Sequence, residues 1–241
     1  GHSPTSLSRT LEKVLDDAEQ TGEILLSGRK IKDFAKVSCK YDLSDATIAD
    51  ISKNRFSELP PEICELCALE RLNCYHNIIR CIPEALVQLQ SLVHLNISRN
   101  QLTTLPPVLC QIQSLEVLLA SNNRLVSLPE EINKLEQLME IDVSCNEIAH
   151  LPTQIGDLES LRCLNVRKNL LVELPSSISK LSLRKLDVSC NRLSKIPCDI
   201  RKMEVLTELC LDNNPLTSPP AHICTKGRVH VMKFLHQEAL K

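Results

Sequence analysis

The stretch Leu92–Gln113, LVHLNISRNQLTTLPPVLCQIQ, carries a pattern that most of the chain repeats. Apolar and polar residues alternate around Leu95, which is typical of a short strand with one buried face. Asn100 follows where the chain must leave the strand, and its side-chain amide can bond backbone groups of the turn. Pro106 and Pro107 then remove amide donors and fix φ, so the return segment should be extended or a short irregular helix.

The turn asparagine recurs at nearly constant spacing. Its eight copies are Asn54, Asn77, Asn100, Asn123, Asn146, Asn169, Asn191 and Asn214. Successive copies lie 23 residues apart, except for one gap of 22 residues. A fixed period of this length indicates a repeat architecture, in which each unit buries its apolar face against its neighbours.

The repeat resembles the leucine-rich repeat, in the variant that has Leu-Pro at the start of the return segment, as at Leu128-Pro129. This resemblance implies an α/β fold, a right-handed horseshoe solenoid. A parallel sheet should line its concave side, irregular or 3-10 segments its convex side, and a helical cap each end. We expect a cap helix and a degenerate first repeat in residues 1–45, eight repeats in 46–225 and a cap helix in 226–241.

The two ends depart from the repeat pattern. Residues 6–20 predict a helix with one apolar face, formed by Leu7, Leu11, Val14, Leu15 and Ala18. Arg29 occupies the asparagine position of the degenerate first repeat, 25 residues ahead of Asn54. After Gly227, a short helix is predicted from Val229, Met232, Leu235 and Ala239. Terminal repeats are expected to be atypical because one side of each lacks a neighbouring repeat.

Composition excludes several classes of function. The net charge is −2 and the pI is about 6.4, so bulk electrostatics favour neither nucleic acid nor an anionic membrane, and a basic partner is not favoured either. The sequence has no apolar run long enough to span a bilayer and no secretory signal at its start. We therefore expect no membrane insertion.

The twelve cysteines are predicted to be free thiols in a reducing compartment. Cys145 and Cys190 occupy the same position two repeats apart, about 10 Å at strand spacing, which is beyond disulfide reach. Cys39 and Cys64 lie in adjacent turns and could approach each other. Secreted relatives usually place cysteine clusters in their caps, and no such cluster flanks this array.

One cysteine pair has a metal-like spacing, Cys64-x-x-Cys67. Its potential second pair, Cys74 and Cys81, falls on a buried strand position and a turn. No metal site is predicted.

Recognition is expected on the concave face, at the residues six, four and two positions before each asparagine. We predict that it binds a protein through Arg71, Tyr75, His76, His94, Arg99, Val117, Leu119, Glu140, Asp142 and Arg167. A basic and aromatic zone beside two aliphatic residues and an acidic border is typical of protein interfaces. The alternative is an ordinary mixed surface, since curved sheets tolerate occasional aliphatic residues.

An enzymatic function is not predicted. Cys163 and His94 are three repeats apart, about 15 Å at strand spacing, so they cannot act as nucleophile and base. No GxGxxG or GxxxxGK[ST] motif is present for a phosphate-binding loop. We expect no cofactor, and no residue is assigned to catalysis, to cofactor binding or to a metal.

A more specific resemblance lies in LLSGRKIKDF, ISKNRFSELPPEIC and NNPLTSPPAHICTKGRVHVMKFL. These segments resemble the repeat domain of the leucine-rich repeat and calponin-homology domain-containing family, over nearly the whole chain. The resemblance implies a cytoplasmic scaffold at the cell cortex or cytoskeleton that binds DOCK-type guanine nucleotide exchange factors for Rac and Cdc42. It also implies a longer protein with a disordered middle and a calponin-homology domain, and it carries over no catalytic residue.

Three functions remain open at this level. The domain could be an intracellular protein-binding scaffold, a regulator that inhibits an exchange factor directly, or an extracellular, receptor-type recognition ectodomain. The third would require oxidised cap cysteines, so a count of free thiols separates it from the first two. The partner's identity, the face that it uses and the oligomeric state are not predicted.

Overall fold

The computed structural model describes residues 9–241, which form one open sheet of nine parallel strands in chain order. The strands are β1 Glu23–Leu25, β2 Ile48–Asp50, β3 Arg71–Asn73, β4 His94–Asn96, β5 Val117–Leu119, β6 Glu140–Asp142, β7 Cys163–Asn165, β8 Lys185–Asp187 and β9 Glu208–Cys210. A short helical segment follows most strands and returns the chain to the next one. The predicted leucine-rich-repeat solenoid is confirmed.

The return segments are short because each begins at or just after a proline. Six are 3-10 helices, at Glu84–Gln88, Pro107–Gln111, Glu130–Lys134, Thr153–Asp157, Ser176–Lys180 and Cys198–Lys202. The α-helices are α1 Arg9–Thr21, α2 Phe34–Ser38, α3 Pro61–Cys64, α4 Ala221–Cys224 and α5 Arg228–Ala239. Within the described residues, no helix has the length and apolar character needed to cross a bilayer.

Pairing between strands follows the repeat period. His94 pairs with Val117, 23 residues later, and the offset is 25 between β1 and β2 and 22 between β7 and β8. The middle residue of each strand from β2 to β8 is buried, as Leu95 and Leu118 are, whereas the first and third residues face the other side of the sheet. We call that other side the concave face. Equivalent side chains therefore stand in columns across it.

The turn asparagines form a bonded column beneath the sheet edge. Asn100 accepts the backbone N–H of Ile79 in the preceding repeat at 3.0 Å, and its Nδ2 donates to the carbonyls of Cys74 and Ile97, both at 3.0 Å. The same pattern recurs along the array, and seven of the eight asparagines are buried. Each side chain thus satisfies polar groups of two repeats that would otherwise be buried without partners.

The residue before each turn asparagine has a left-handed backbone. Its φ lies between 53° and 57° in all eight repeats, for example at Arg99 and Asn122. In the degenerate first repeat the equivalent residue is Gly28, with φ of 72°, and it precedes Arg29. Lys30 is also left-handed, but the register of β1 with β2, offset by 25 residues, places Arg29 opposite Asn54 and confirms the prediction.

At the N-terminal end, α1 buries Leu15 and Ala18 and half-buries Leu11 and Val14, as predicted. The helix is described from residue 9, so Leu7, which the sequence placed on the same face, lies outside the described residues.

At the C-terminal end, α5 packs on the 3-10 helix Cys198–Lys202 and buries Val231 and Leu235. Of the four residues from which this helix is predicted, Val229 is 69% exposed and Ala239 is also exposed. Residues 231 and 235 are one helical turn apart, whereas residue 229 falls on another side of that helix.

Replacing Asn123 with alanine should strongly destabilise the array. The change removes an acceptor for the N–H of Leu102 and a donor to the carbonyls of Ile97 and Ala120. With these groups left buried and unpaired, urea unfolding should show a loss of about 3 kcal/mol. The control is Asn122→Gly, at an exposed position with φ of 54° that glycine adopts freely, and it should cost no stability. Equal stability of the two variants would contradict the role of the column.

Candidate functional site

The predicted binding residues fall into columns on the concave face. In the first strand position, Arg71, His94, Val117 and Glu140 are successive partners in the sheet register. In the third position, the corresponding series is Asn73, Asn96, Leu119 and Asp142. Neighbours within a column stand on adjacent strands, about 4.8 Å apart. Strands β3 to β6 therefore hold Arg71, Val117, Leu119 and both acidic residues on one continuous surface.

The third-position column has a structural role that the sequence analysis did not assign. Asp142 Oδ1 accepts the backbone N–H of Ser144 at 2.9 Å, and Asn96 Oδ1 accepts that of Ser98 at 3.0 Å. The same bond is made by Asp50, Asn73, Asn165 and Asp187. Asp142, predicted as a binding residue, therefore also holds the turn behind its strand. An Asp or Asn four residues before six of the eight turn asparagines was the sequence signal for this bond.

Leu119 interrupts that column. Its side chain cannot accept a hydrogen bond, and the N–H of Ser121 is instead accepted by Ser98 Oγ in the preceding repeat, at 3.0 Å. Leu119 and the neighbouring Val117 are half-buried, so both keep apolar surface on the concave face. The turn remains bonded although the position has given up its usual Asp or Asn.

Tyr75 is the centre of a small cluster above the turn of β3. Its ring stands edge-on to that of His76 with centroids 5.9 Å apart, and the Arg99 guanidinium carbon lies 5.9 Å from the Tyr75 centroid. This distance fits a cation–π contact. His76 and Arg99 both have the left-handed backbone of the residue before a turn asparagine. The tyrosine is thus flanked by side chains from two successive turns.

Tyr75 and His94 lie in neighbouring repeats, but no ring contact between them is found among the described residues. Tyr75 makes its ring contacts with His76 and Arg99 instead. The register explains the difference, because His94 lies opposite Arg71, four residues before Tyr75.

His94 contributes less positive charge than the sequence suggested. Burial lowers the pKa of His94, and the adjacent charge of Arg71 lowers it further. Its ordinary pKa is about 6.5, so the imidazole is predominantly neutral at pH 7. The positive charge of this zone therefore comes mainly from Arg71 and Arg99, both of which are exposed.

Arg167 lies apart from the other predicted residues. It follows β7, and its Nη1 donates to Ser189 Oγ at 2.7 Å, toward β8 and away from Tyr75. The structure brings the remaining nine together over β3 to β6, with arginines and Tyr75 at one end, Val117 and Leu119 in the middle, and Glu140 and Asp142 at the other end. We call these nine residues the concave patch.

The cysteines of the array are free thiols, and several are deeply buried. Burial raises the pKa of Cys64 to about 11 and that of Cys110 to about 12, and it also raises the pKa of the fully buried Cys74. These thiols are protonated and unreactive at neutral pH. Cys64 is buried and Cys67 exposed, so their CxxC spacing does not present two thiols to one ion. Within residues 9–241, no cluster of three metal-ligating side chains is present.

The proposed nucleophile and base of an enzymatic alternative are also separated in space. His94 is on β4 and Cys163 on β7, with β5 and β6 between them. Burial raises the pKa of Cys163, which keeps the thiol neutral.

Comparison with known families supports the repeat assignment. A family profile described as "Leucine rich repeat" matches residues 47–111 and 113–171, and a second profile, "Leucine Rich Repeat", matches residues 182–203. Among solved structures, a leucine-rich-repeat protein of Leptospira interrogans superposes with a TM-score of 0.74 at 29% identity. That alignment covers 83% of this chain and 58% of the bacterial one.

Curated relatives confirm the more specific resemblance. The "Leucine-rich repeat and calponin homology domain-containing protein" of Drosophila melanogaster is 50% identical over 92 residues, 38% of this chain and 11% of that protein. The "DISP complex protein LRCH3" of Mus musculus is 52% identical over 89 residues, 37% of this chain and 11% of that protein. The matched segments therefore span only about a tenth of each relative.

The pKa of His94 should respond to Arg71. In an NMR titration of the His94 ring protons, Arg71→Ala should raise the midpoint, because the repelling charge is gone. Burial, the larger cause, remains, so the midpoint should stay below the ordinary value of about 6.5. Arg80→Ala, another exposed arginine of the same repeat, is the control and should leave the midpoint unchanged.

The same shift predicts a pH dependence of stability. Because the folded pKa of His94 is lower than the unfolded one, the unfolded chain binds this proton more readily. Stability should therefore fall as the pH drops below about 6.5, and Arg71→Ala should reduce that fall. An Arg71→Ala titration identical to that of the unmodified chain would refute the electrostatic coupling.

Proposed function

The chain belongs to the leucine-rich repeat family, and from that premise we propose that it is a non-catalytic scaffold domain that binds a partner protein through the concave patch. In this proposal residues 46–225 supply the binding surface. Residues 1–45 and 226–241 close the two ends of the array. The concave face suits this function because its side chains can vary without disturbing the buried residues beneath.

The observation that carries the proposal is the substitution of the third-position column by Leu119. Six other strands place Asp or Asn there and use it to bond their own turn, as Asn96 does for Ser98. Leucine gives up that bond and leaves apolar surface beside Val117 in the middle of the sheet. The other third positions without Asp or Asn, Leu25 and Cys210, are on the two terminal strands. Leu119 thus breaks the pattern of Asp or Asn at the third strand position without an evident gain in stability. Such departures are expected at functional sites.

The neighbouring side chains suit a protein interface. Tyrosine and arginine are the residues most often found at the energetic centres of such interfaces, and Tyr75 is already flanked by Arg99 and His76 in the free domain. Arginines at one end and Glu140 with Asp142 at the other give the patch a polarity. A matching partner would place an acidic region on the arginines, an apolar side chain on Val117 and Leu119, and a basic region on Glu140 and Asp142. These charges allow only one orientation of the partner.

The partner that we propose is a DOCK-type exchange factor for Rac or Cdc42, at the cell cortex or cytoskeleton of the cytoplasm. The support is the similarity to leucine-rich repeat and calponin homology domain-containing proteins, one of which is named as a DISP complex protein. Cytoskeletal proteins are further candidate partners within the same proposal. The family relationship supports the class of partner, and the concave patch supports the place where it binds.

Three variants should separate the concave patch from the rest of the surface. Leu119→Asn places an amide at a position where six other strands use Asp or Asn, so the fold should keep its stability while partner affinity falls by roughly tenfold or more. Tyr75→Ala should weaken binding by about 30-fold. Val126→Arg is the control, since Val126 is a 54% exposed aliphatic residue outside the strands. This variant should bind the partner as tightly as the unmodified chain.

The measurement is affinity purification from cell extract, followed by titration of the purified partner against each variant. If Leu119→Asn and Tyr75→Ala bind as tightly as the unmodified chain, the concave patch is not the site. If a DOCK-type factor is absent from the captured proteins and does not bind in the titration, the partner assignment is wrong. Nucleotide exchange on Rac or Cdc42, measured with and without the domain, then distinguishes inhibition of the factor from its localisation.

A further inference from the structure

A surface pocket lies outside the concave patch, between the N-terminal helix and the first return segment. It has a volume of about 590 Å³ and is formed by α1, by residues 29–33 and by α2 with the residues that follow it. This volume lies within the range of small-molecule sites, roughly 300–1,000 Å³.

The lining of this pocket is strongly cationic. It contains Arg29, Lys30, Lys32, Lys36 and Lys40. Asp33 is the one carboxylate in the lining, and its Oδ1 accepts the backbone N–H of Lys36 at 3.2 Å at the start of α2. The ion pairs found among the described residues include none of these five cations. A local charge of about four positive units thus stands in a chain whose net charge is −2.

Arg29 adds an independent observation. Its Nε is buried and has no hydrogen-bond partner, the only such side-chain nitrogen or oxygen atom within the described part of the chain. Arginine stays ionised at all physiological pH values, so an unpaired buried N–H of its guanidinium is costly. Arg29 is thus a residue of the pocket lining whose guanidinium keeps one hydrogen bond unmade.

The rest of the lining is apolar. Leu11 from α1, Ile31 and Val37 contribute aliphatic surface beside the cations. The matching ligand therefore carries several negative charges on a compact group, joined to a part that tolerates apolar contact. Phosphate groups suit the charged part, because arginine and lysine bind phosphate oxygens strongly.

We propose that this pocket binds a phosphorylated inositol ring, either as the headgroup of a membrane lipid or as a soluble inositol phosphate. The aliphatic surface would contact the ring carbons or, in a lipid, the glycerol next to the headgroup. The site precedes β2 in the chain, whereas the concave patch lies on β3 to β6, so both can be occupied at once. A domain held at a membrane surface by this end would keep its concave patch free for a protein.

The test uses vesicle co-sedimentation and titration of soluble inositol trisphosphate. The domain should sediment with phosphatidylcholine vesicles that contain phosphatidylinositol bisphosphate, and less with phosphatidylserine vesicles of equal surface charge. Lys32→Gln, Lys36→Gln and Lys40→Gln combined should weaken binding by roughly 100-fold. The control combines Lys134→Gln, Lys180→Gln and Lys195→Gln, which remove the same charge from exposed positions elsewhere and should preserve binding.

An NMR spectrum of the amide groups locates the ligand. Inositol trisphosphate should shift the amides of Ile31 and Val37 and leave those of Arg71 and Arg99 in place. Stronger binding to the vesicles than to the soluble ring identifies a lipid headgroup, and binding to the soluble ring alone identifies a free inositol phosphate. The proposal is overturned if the domain sediments equally with phosphatidylserine vesicles, or if the combined Lys32, Lys36 and Lys40 variant binds as well as the unmodified chain. Amide shifts centred on Arg71 would also overturn it.

Discussion

The hydrogen bonds of the turn asparagines are the constraint on which the rest of this structure depends. Each strand has only three residues, so sheet bonds join neighbouring repeats over a short length. Asn100 accepts an N–H from the repeat before it and donates to carbonyls of that repeat and of its own. One side chain therefore links two turns, and the column of asparagines fixes each repeat relative to the next.

Fixed register makes the concave face a set of columns whose chemistry can change one residue at a time. Third-position residues are less free to be substituted than first-position ones, because most of them bond their own turn, as Asp142 does for Ser144. Leu119 gives up this bond, and Ser98 Oγ replaces it from the adjacent repeat. This exchange of a structural polar residue for half-buried aliphatic surface is the feature on which the proposed concave patch rests.

Much of the fold could be predicted from the sequence because one residue type marks every repeat. The spacing of the asparagines gave the strands, and Leu-Pro steps such as Leu128-Pro129 gave the short return segments. Helix faces at the ends were harder. The sequence predicted a helix after Gly227, but only the packing of α5 shows that Val231 and Leu235 are its buried residues.

The candidate site was predicted only in part, for reasons of tertiary geometry. Column positions followed from spacing, but the contact of Tyr75 with Arg99 depends on the left-handed turn that orients the arginine. The cationic pocket was missed because its lysines are spread over a turn and a helix, and the net charge of −2 conceals them. Only the packing of α1 brings Leu11 beside them to form the pocket.

Hydrogen exchange of four backbone amides tests the central claim most directly. The N–H groups of Ile79, Leu102, Leu125 and Ile148 lie outside the strands, and each donates to a turn asparagine of the next repeat at 2.9–3.0 Å. If the asparagine column holds the array together, all four should exchange only when repeats separate, as slowly as the buried strand amides. Exchange as fast as that of exposed loop amides would contradict the account.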